Sequence, residues 1–463
     1  MVRTLFSAGL VLLALLAAAC APSSEADSGN DPYAPRPYIK LRHAEWSRNA
    51  TLYQLNTRQF TKQGTFRAAE AHLARIKALG ADIVWLMPIN PIGEKGRKGT
   101  LGSPYSIRDY YGVNPEFGTL EDLKHFVDTA HGLGLHVIID WVAAHTAWDN
   151  PLIEQYPEWY QHDWKGDITS PEFWDWWDTA DLDYDQPGLR KYMIEAMKYW
   201  VREADIDGFR CDVVYNVPLD FWNRARKELD EIKPVFMLAE WEGRDIHAEA
   251  FDASYAFKQH RELSDIVNGK RDGIGGLVEY YAWQFGGYPR DAYRLTYVSN
   301  HDVNAWEGSQ YDVFGDALKM AIVLSVVNDG IPMIYNGQEA GNRRRLAFFD
   351  KDEIEWRDDP VGDLYRRLFK LKHETTALWN GAAGAPMLRV FNDDLAHVFS
   401  FVRRDGNGAV FAVFNISPVE RTVHFTAGPA AGDYTDFFKG DAVSVDDTTE
   451  LTLGPWGYRV YVR

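Results

Sequence analysis

Asp82-Ile83-Val84-Trp85-Leu86-Met87 and Leu135-His136-Val137-Ile138-Ile139-Asp140 are short, almost unbroken apolar runs. A strand with one wet face alternates apolar with polar residues, whereas a parallel strand covered by helices on both faces does not. Both runs therefore read as strands at the centre of an α/β fold. Amphipathic stretches lie between such runs: Phe66, Ala69, Leu73, Ile76 and Leu79 recur at helical spacing, as do Leu189, Tyr192, Ala196 and Trp200 behind Pro187, a residue favoured in the first helical turn. The couplet repeats from Leu52 to about Thr376, with strand candidates near residues 52, 83, 136, 207, 235, 252, 294 and 333. Eight such units predict a closed (β/α)8 TIM barrel over residues 46–380.

Two segments depart from the repeat. Residues 146–187, rich in Trp, Asp and Pro, are longer than an ordinary βα connection and predict a small subdomain inserted after the third strand. Beyond Trp379-Asn380-Gly381 the period changes to two, in segments such as His397-Val398-Phe399-Ser400-Phe401-Val402 and Ala409-Val410-Phe411-Ala412-Val413-Phe414. Residues 381–463 accordingly predict a separate antiparallel β-sandwich domain.

The N-terminus is read apart from the fold. Arg3, the apolar run Leu5 to Leu16 and Ala17-Ala18-Ala19 make residues 1–19 a secretory signal peptide, and the run is shorter than the ~18–20 residues of a spanning helix. Cys20 stands where bacterial lipoprotein signals place the acylated cysteine, so residues 20–45 read as a lipidated N-terminus and flexible linker. That places the protein outside the cytoplasm, as an outer-membrane lipoprotein or at the periplasmic or cell surface, touching membrane only through its lipid. Cys211 is then left without a partner, and no disulfide framework is expected. With 49 Lys and Arg against 67 Asp and Glu, a net charge of −18 and no long basic run, nucleic acid is excluded as a partner.

Barrel enzymes carry their chemistry at the C-terminal ends of strands. Polar residues close the apolar runs at Asp140 to His145, at Arg210 and Asp212, at Glu240, and at Asn300-His301-Asp302. Asp212 and Glu240 lie one βα unit apart, so two carboxyl groups can face each other across neighbouring strands, as glycoside hydrolysis requires. Arg210 shares a strand face with Asp212 and would keep it ionised, while the apolar and aromatic flanks of Glu240, Leu238-Ala239 and Trp241, would favour its protonated form. Cys211, pointing the opposite way from Asp212, reads as packing and not as a reactive thiol.

These segments resemble, in order, the four signatures of the alpha-amylase superfamily of glycoside hydrolases: Asp140-Trp141-Val142-Ala143-Ala144-His145, Gly208-Phe209-Arg210-Cys211-Asp212, Ala239-Glu240 and Asn300-His301-Asp302. Tyr105 with Asp109, Ala180-Asp181-Leu182-Asp183 and Gly330 to Glu339 match as well. The resemblance implies a retaining hydrolase of α-1,4-glucans or malto-oligosaccharides, with Asp212 as nucleophile, Glu240 as acid/base and Asp302 gripping the ring hydroxyls. It implies that His145, Arg210 and His301 hydrogen-bond the same sugar or the nucleophile, and that Tyr105 stacks on the ring.

One departure bears on metals. Many members carry a calcium-binding Asn where this chain has Ala144, and the residues after Asp212, Val213-Val214-Tyr215-Asn216, lack the Lys-His pair typical of calcium-dependent members. Asp181, Asp183 and Asp185 alternate like the start of a calcium loop, but Gln186 replaces the turn glycine and Tyr192 the bidentate Glu. The expectation is no cofactor and no metal, with calcium left open at an incomplete site. Two rivals to hydrolysis also remain open: a glucanosyltransferase using the same residues, and a glycan-binding surface lipoprotein without catalysis.

Overall fold

A computed structural model describes residues 33–34 and 36–463. The expected signal peptide, Cys20 and most of the expected linker lie outside the described residues. Residues Ile39–Arg463 form one compact unit. Among the described residues no helix is long and apolar enough to cross a membrane.

Eight parallel strands close into a barrel: β1 (Leu52–Leu55), β2 (Ile83–Leu86), β3 (His136–Val142), β4 (Gly208–Asp212), β5 (Phe236–Ala239), β6 (Ala253–Tyr255), β7 (Tyr293–Thr296) and β8 (Ile331–Tyr335). Neighbours in sequence are neighbours in the barrel, and β8 returns to pair with β1 through Leu52↔Met333. Every residue of β1, β2, β4 and β8 is buried, the physical counterpart of the unbroken apolar runs. All eight strands fall where the sequence places them.

The helical layer is less regular than the strands. Phe66, Ala69, Leu73, Ile76 and Leu79 are all buried, but on two pieces, α1 (Phe66–Glu70) and α2 (Leu73–Leu79). Then come α3 (Leu120–Gly132), opened by a capping box between Thr119 and Asp122, α4 (Pro187–Glu203) and α5 (Leu219–Asp230). The link from β5 to β6 holds only a 3-10 turn, Asp245–His247, whereas two helices, α6 (Phe257–Val267) and α7 (Gly275–Gly287), follow β6. Helices α8 (Leu318–Val327) and α9 (Pro360–Glu374) follow β7 and β8. The insertion after β3 is built on a hairpin that pairs His145–Ala147 with Thr179–Asp181.

The C-terminal part is a sandwich of a six-stranded and a three-stranded antiparallel sheet. Its strands are β9 (Leu388–Arg389), β10 (Phe391–Asn392), β11 (Val398–Arg404), β12 (Ala409–Asn415), β13 (Arg421–Ala427), β14 (Gly432–Asp436), β15 (Ala442–Val445), β16 (Glu450–Leu453) and β17 (Tyr458–Val462). All seven residues of β12 are buried, because its two faces serve different cores. Val410, Ala412 and Phe414 join the apolar cluster that runs through the barrel, while Ala409, Phe411 and Val413 pack with Val423, Phe425 and Leu453 of the second sheet. Alternation along β12 therefore separates one core from another, and the β-sandwich shares its packing with the barrel. Helix α8, apolar on nearly all sides, is covered between them.

Candidate active site

Strand β4 sets the centre of the site. Arg210 and Asp212, two residues apart, face the barrel mouth, and Cys211 between them turns outward into packing with no exposure, where burial pushes its thiol up. Register across β3 and β4 pairs Asp140 with Arg210 and Val142 with Asp212. Arg210 is fully buried, and its Nη1 donates to Asp140 Oδ1 at 2.8 Å and to Asp212 Oδ1 at 2.7 Å. Its Nη2 lies 2.9 Å from Glu240 Oε1, an ion contact off the hydrogen-bonding line. The rings of Trp85, Tyr105 and Tyr255 surround the guanidinium at 5.2, 5.7 and 5.8 Å. One cation thus serves three carboxyl groups from three neighbouring strands.

Glu240 is held from a second side by the Val213 N–H, 2.8 Å from Oε2. Val213 adopts φ 43°, ψ 52°, a left-handed conformation that a β-branched residue takes only under constraint. That turn aims the amide of the residue after Asp212 at the carboxyl group one strand away.

His301 is fixed by Gln54 of β1. The Gln54 Oε1 accepts the His301 N–H at 3.3 Å, which leaves Nε2 to donate to His301 Nδ1 at 2.7 Å. The ring proton is therefore on Nε2, which faces the Tyr105 hydroxyl at 2.6 Å and Asp302 Oδ2 at 3.2 Å. Tyr105 in turn donates to Asp140 Oδ2 at 3.1 Å, and Trp85 Nε1 donates to the same oxygen at 3.1 Å. Burial holds both His301 and His145 down to about 4, so both are neutral. His145 Nε2 donates to the Tyr105 carbonyl at 3.2 Å, leaving Nδ1 as a buried, unpartnered acceptor beside the cavity. Asp302 is the most open of the carboxylates here, its side chain 41% exposed.

A cavity of ≈ 360 Å³ lies over this cluster, and Tyr105, His145, Asp212, Glu240, His301 and Asp302 line it. Of the seven residues given a role in catalysis or sugar binding by the sequence, only Arg210 is absent from the lining; it sits beneath, bonded to the groups that form the floor. The structure adds Lys98, Trp176, Trp306, Phe348 and Phe349, which sequence reading missed. They come from four different loops, and the adjacent pair Phe348-Phe349 is the one local signal among them.

Proton affinities separate the two central carboxyl groups. Burial pushes Asp212 up to about 6 against the opposing pull of Arg210, and pushes Glu240 further, to about 8, with help from the nearby charges of Asp212 and Asp302. One detail differs from the sequence reading: Arg210 is shared, so it does not hold Asp212 at an ordinary low value. The raised value of Glu240 agrees with the expected protonated acid, and burial is its largest cause. If Asp212 must be ionised and Glu240 protonated, kcat/KM on a malto-oligosaccharide will fall as pH drops through about 6 and again as it rises through about 8. A rate flat from pH 5 to about 10 would contradict that pairing.

A (β/α)8 barrel with paired carboxyl groups at its C-terminal rim is the architecture of many glycoside hydrolases. Residues 27–359 match the family model for the alpha amylase catalytic domain, and residues 389–461 match that for the alpha amylase C-terminal all-beta domain. The chain belongs to the alpha-amylase family. Alpha-amylase MalA of Haloarcula japonica is 27% identical over 89% of this chain and 61% of its own length. A cyclomaltodextrin glucanotransferase of Geobacillus stearothermophilus is 27% identical over 76% of this chain and 55% of its own. Among solved structures, a noncanonic maltogenic alpha-amylase, AmyB, from Thermotoga neapolitana superposes with a TM-score of 0.81, 32% identity, and coverage of 90% of this chain and 100% of that one.

The residues at the position of the family's calcium do not fit the ion. Ala144 offers no side-chain oxygen, and its carbonyl accepts the Leu182 N–H at 3.1 Å. Asp183 is occupied by the Asp185 N–H at 3.0 Å and by Gln186 Nε2 at 2.9 Å. Among the described residues no group of three or more His, Cys, Asp or Glu is placed to hold a metal.

Proposed function

We propose that this protein is a retaining glycoside hydrolase that cleaves α-1,4-glucosidic bonds in starch-like glucans or malto-oligosaccharides. One observation carries the reading: Asp212 and Glu240, at the ends of neighbouring strands, both touch the Arg210 guanidinium and both line the cavity. A guanidinium touching both favours the close spacing of a retaining pair, about 5–5.5 Å, over the about 6.5–9.5 Å of an inverting one.

In this mechanism Asp212 attacks the anomeric carbon as the glycosidic C–O bond breaks, and Glu240 passes its proton to the departing oxygen. Water then enters, gives its proton to Glu240 and displaces Asp212, so configuration is retained. Asp302 binds ring hydroxyls, His145 accepts a hydroxyl proton at Nδ1, and His301 donates from Nε2. Tyr105 supplies a ring face to the sugar. No step uses a metal. Export and a lipid on Cys20 rest on the sequence of the first twenty residues, and would display the enzyme at an outer membrane or cell surface.

The glucanotransferase among the relatives gives one competing reading weight: the same intermediate passed to a sugar and not to water. A product time course on soluble starch, pullulan and maltotriose, with and without chelator and with Glu240→Gln as control, decides between them. Glucose or short maltosides from the wild type alone, undiminished by chelator, are expected. Products longer than maltotriose would show transfer, and no products from any substrate would remove catalysis on α-glucans.

A further inference from the structure

We propose that the cavity is closed on the side that holds the retained sugar, that Lys98 is the tie that closes it, and that the enzyme therefore removes short units from the non-reducing end of a chain instead of cutting within it. This rests on the hydrolase reading above.

Barrel order gives the direction. Glu240 follows β5, which stands diametrically across the barrel from β1, while β8, β1, β2 and β3 are contiguous on the far side. The leaving sugar departs at the Glu240 side, because that residue protonates its oxygen. There the surface stays open: a second hollow of ≈ 830 Å³ shares Asp302 and Trp306 with the first and runs past Trp241 to Lys270. The retained sugar must point the other way, towards the loops after β8, β2 and β3.

Those three loops meet at Lys98. Its ammonium lies 3.1 Å from Asp178 Oδ1 and bonds the Asp175 carbonyl, both on the insertion after β3. It also sits over the rings of Trp177, at 5.2 Å, and Phe349 of the β8 loop, at 6.0 Å. The pair is well shielded, with side-chain exposures of 14% and 5%. Next to it the Leu101 N–H bonds the Phe349 carbonyl at 3.0 Å, and the Thr100 N–H bonds Asp350 Oδ1 at 2.8 Å. Gly99, at φ +62°, is pressed so close that an added Cβ would fall 2.5 Å from Phe349 Cβ. Lys98, Asp175, Asp178 and Phe349 all line the catalytic cavity, so this junction is its end wall. A cavity of ≈ 360 Å³ closed by such a wall admits a chain end and not a polymer passing through.

The test uses a chromogenic malto-oligosaccharide with its non-reducing end free or capped by a bulky cyclic acetal. Wild type is expected to turn over the capped form at least about 100-fold more slowly than the free form, a clash no internal cleavage site would impose. Lys98→Ala should raise the capped-to-free ratio by about tenfold or more. Asp178→Asn, which keeps the shape and removes the charge, should raise it in the same sense, and serves if Lys98→Ala fails to fold. Wild-type rates on the two forms within about threefold would overturn the closed end. A blocked wild type with neither variant relieved would overturn the role of Lys98. No turnover of the free form would refute the hydrolase reading itself.

Discussion

Replacing Asp212 by Gly will lower kcat on malto-oligosaccharides by a factor on the order of 10⁴ or more, because the proposed covalent intermediate forms on its carboxylate. At about 1.36 kcal/mol per tenfold, that is a loss of about 5 kcal/mol or more of transition-state stabilisation. Azide separates this role from that of Glu240. Entering the space left by the Asp212 carboxylate, it attacks from the nucleophile's face and gives the inverted β-glycosyl azide. In Glu240→Ala it attacks the intact intermediate from the face the leaving group vacated and gives the retained α-glycosyl azide. The anomer, read by NMR, reports which carboxyl group was removed. Glu240→Ala will also spare the first step on substrates whose leaving group needs no proton, such as a dinitrophenyl glycoside. If the two variants gave the same anomer, or if Asp212→Gly kept wild-type kcat, the roles assigned to the pair would be wrong.

Much of this site was legible in the sequence because it stands at strand ends. A run such as His136 to Val142 announces its strand by being apolar on both sides, and the first polar residues at its end, Asp140 and His145, are then at the rim by geometry. Asp212, Glu240 and Asp302 follow from the same rule applied to β4, β5 and β7. What was not legible depends on convergence of loops. Lys98, Trp176 and Phe349 lie far apart in the chain, and only the order of strands in the closed barrel brings the loops after β2, β3 and β8 together. Gln54 looks like one more polar residue in a short strand until His301 is seen against it. The proton affinity of Asp212 was read from one neighbour, Arg210, when that charge is divided among three carboxyl groups and burial outweighs each share. The β-sandwich was legible as antiparallel, but Val410 and Phe411 look alike in sequence although they belong to different cores.

Arg210 is where catalysis and stability meet, and its removal has the second large consequence. Arg210→Met keeps much of the volume but leaves Asp140, Asp212 and Glu240 buried without their cation. Breaking a buried ion pair by removing one partner costs about 3–5 kcal/mol, and here three acids lose the same partner. The pH dependence gives the signature. All three carboxyl groups have folded-state values raised above the ordinary range, so their burial costs nothing below the unfolded values and costs more as pH rises towards about 6 to 8. Without Arg210 those values rise further, and the penalty continues to grow at higher pH. The difference in Tm between wild type and Arg210→Met should therefore be small near pH 4 and large near pH 8, where the variant is least stable. Arg210→Lys will recover part of the stability and little of the activity, since one ammonium cannot reach three carboxyl groups at the angles a guanidinium spans. A Tm difference that did not change with pH would mean that Arg210 acts by packing against Trp85, Tyr105 and Tyr255 and not by its charge.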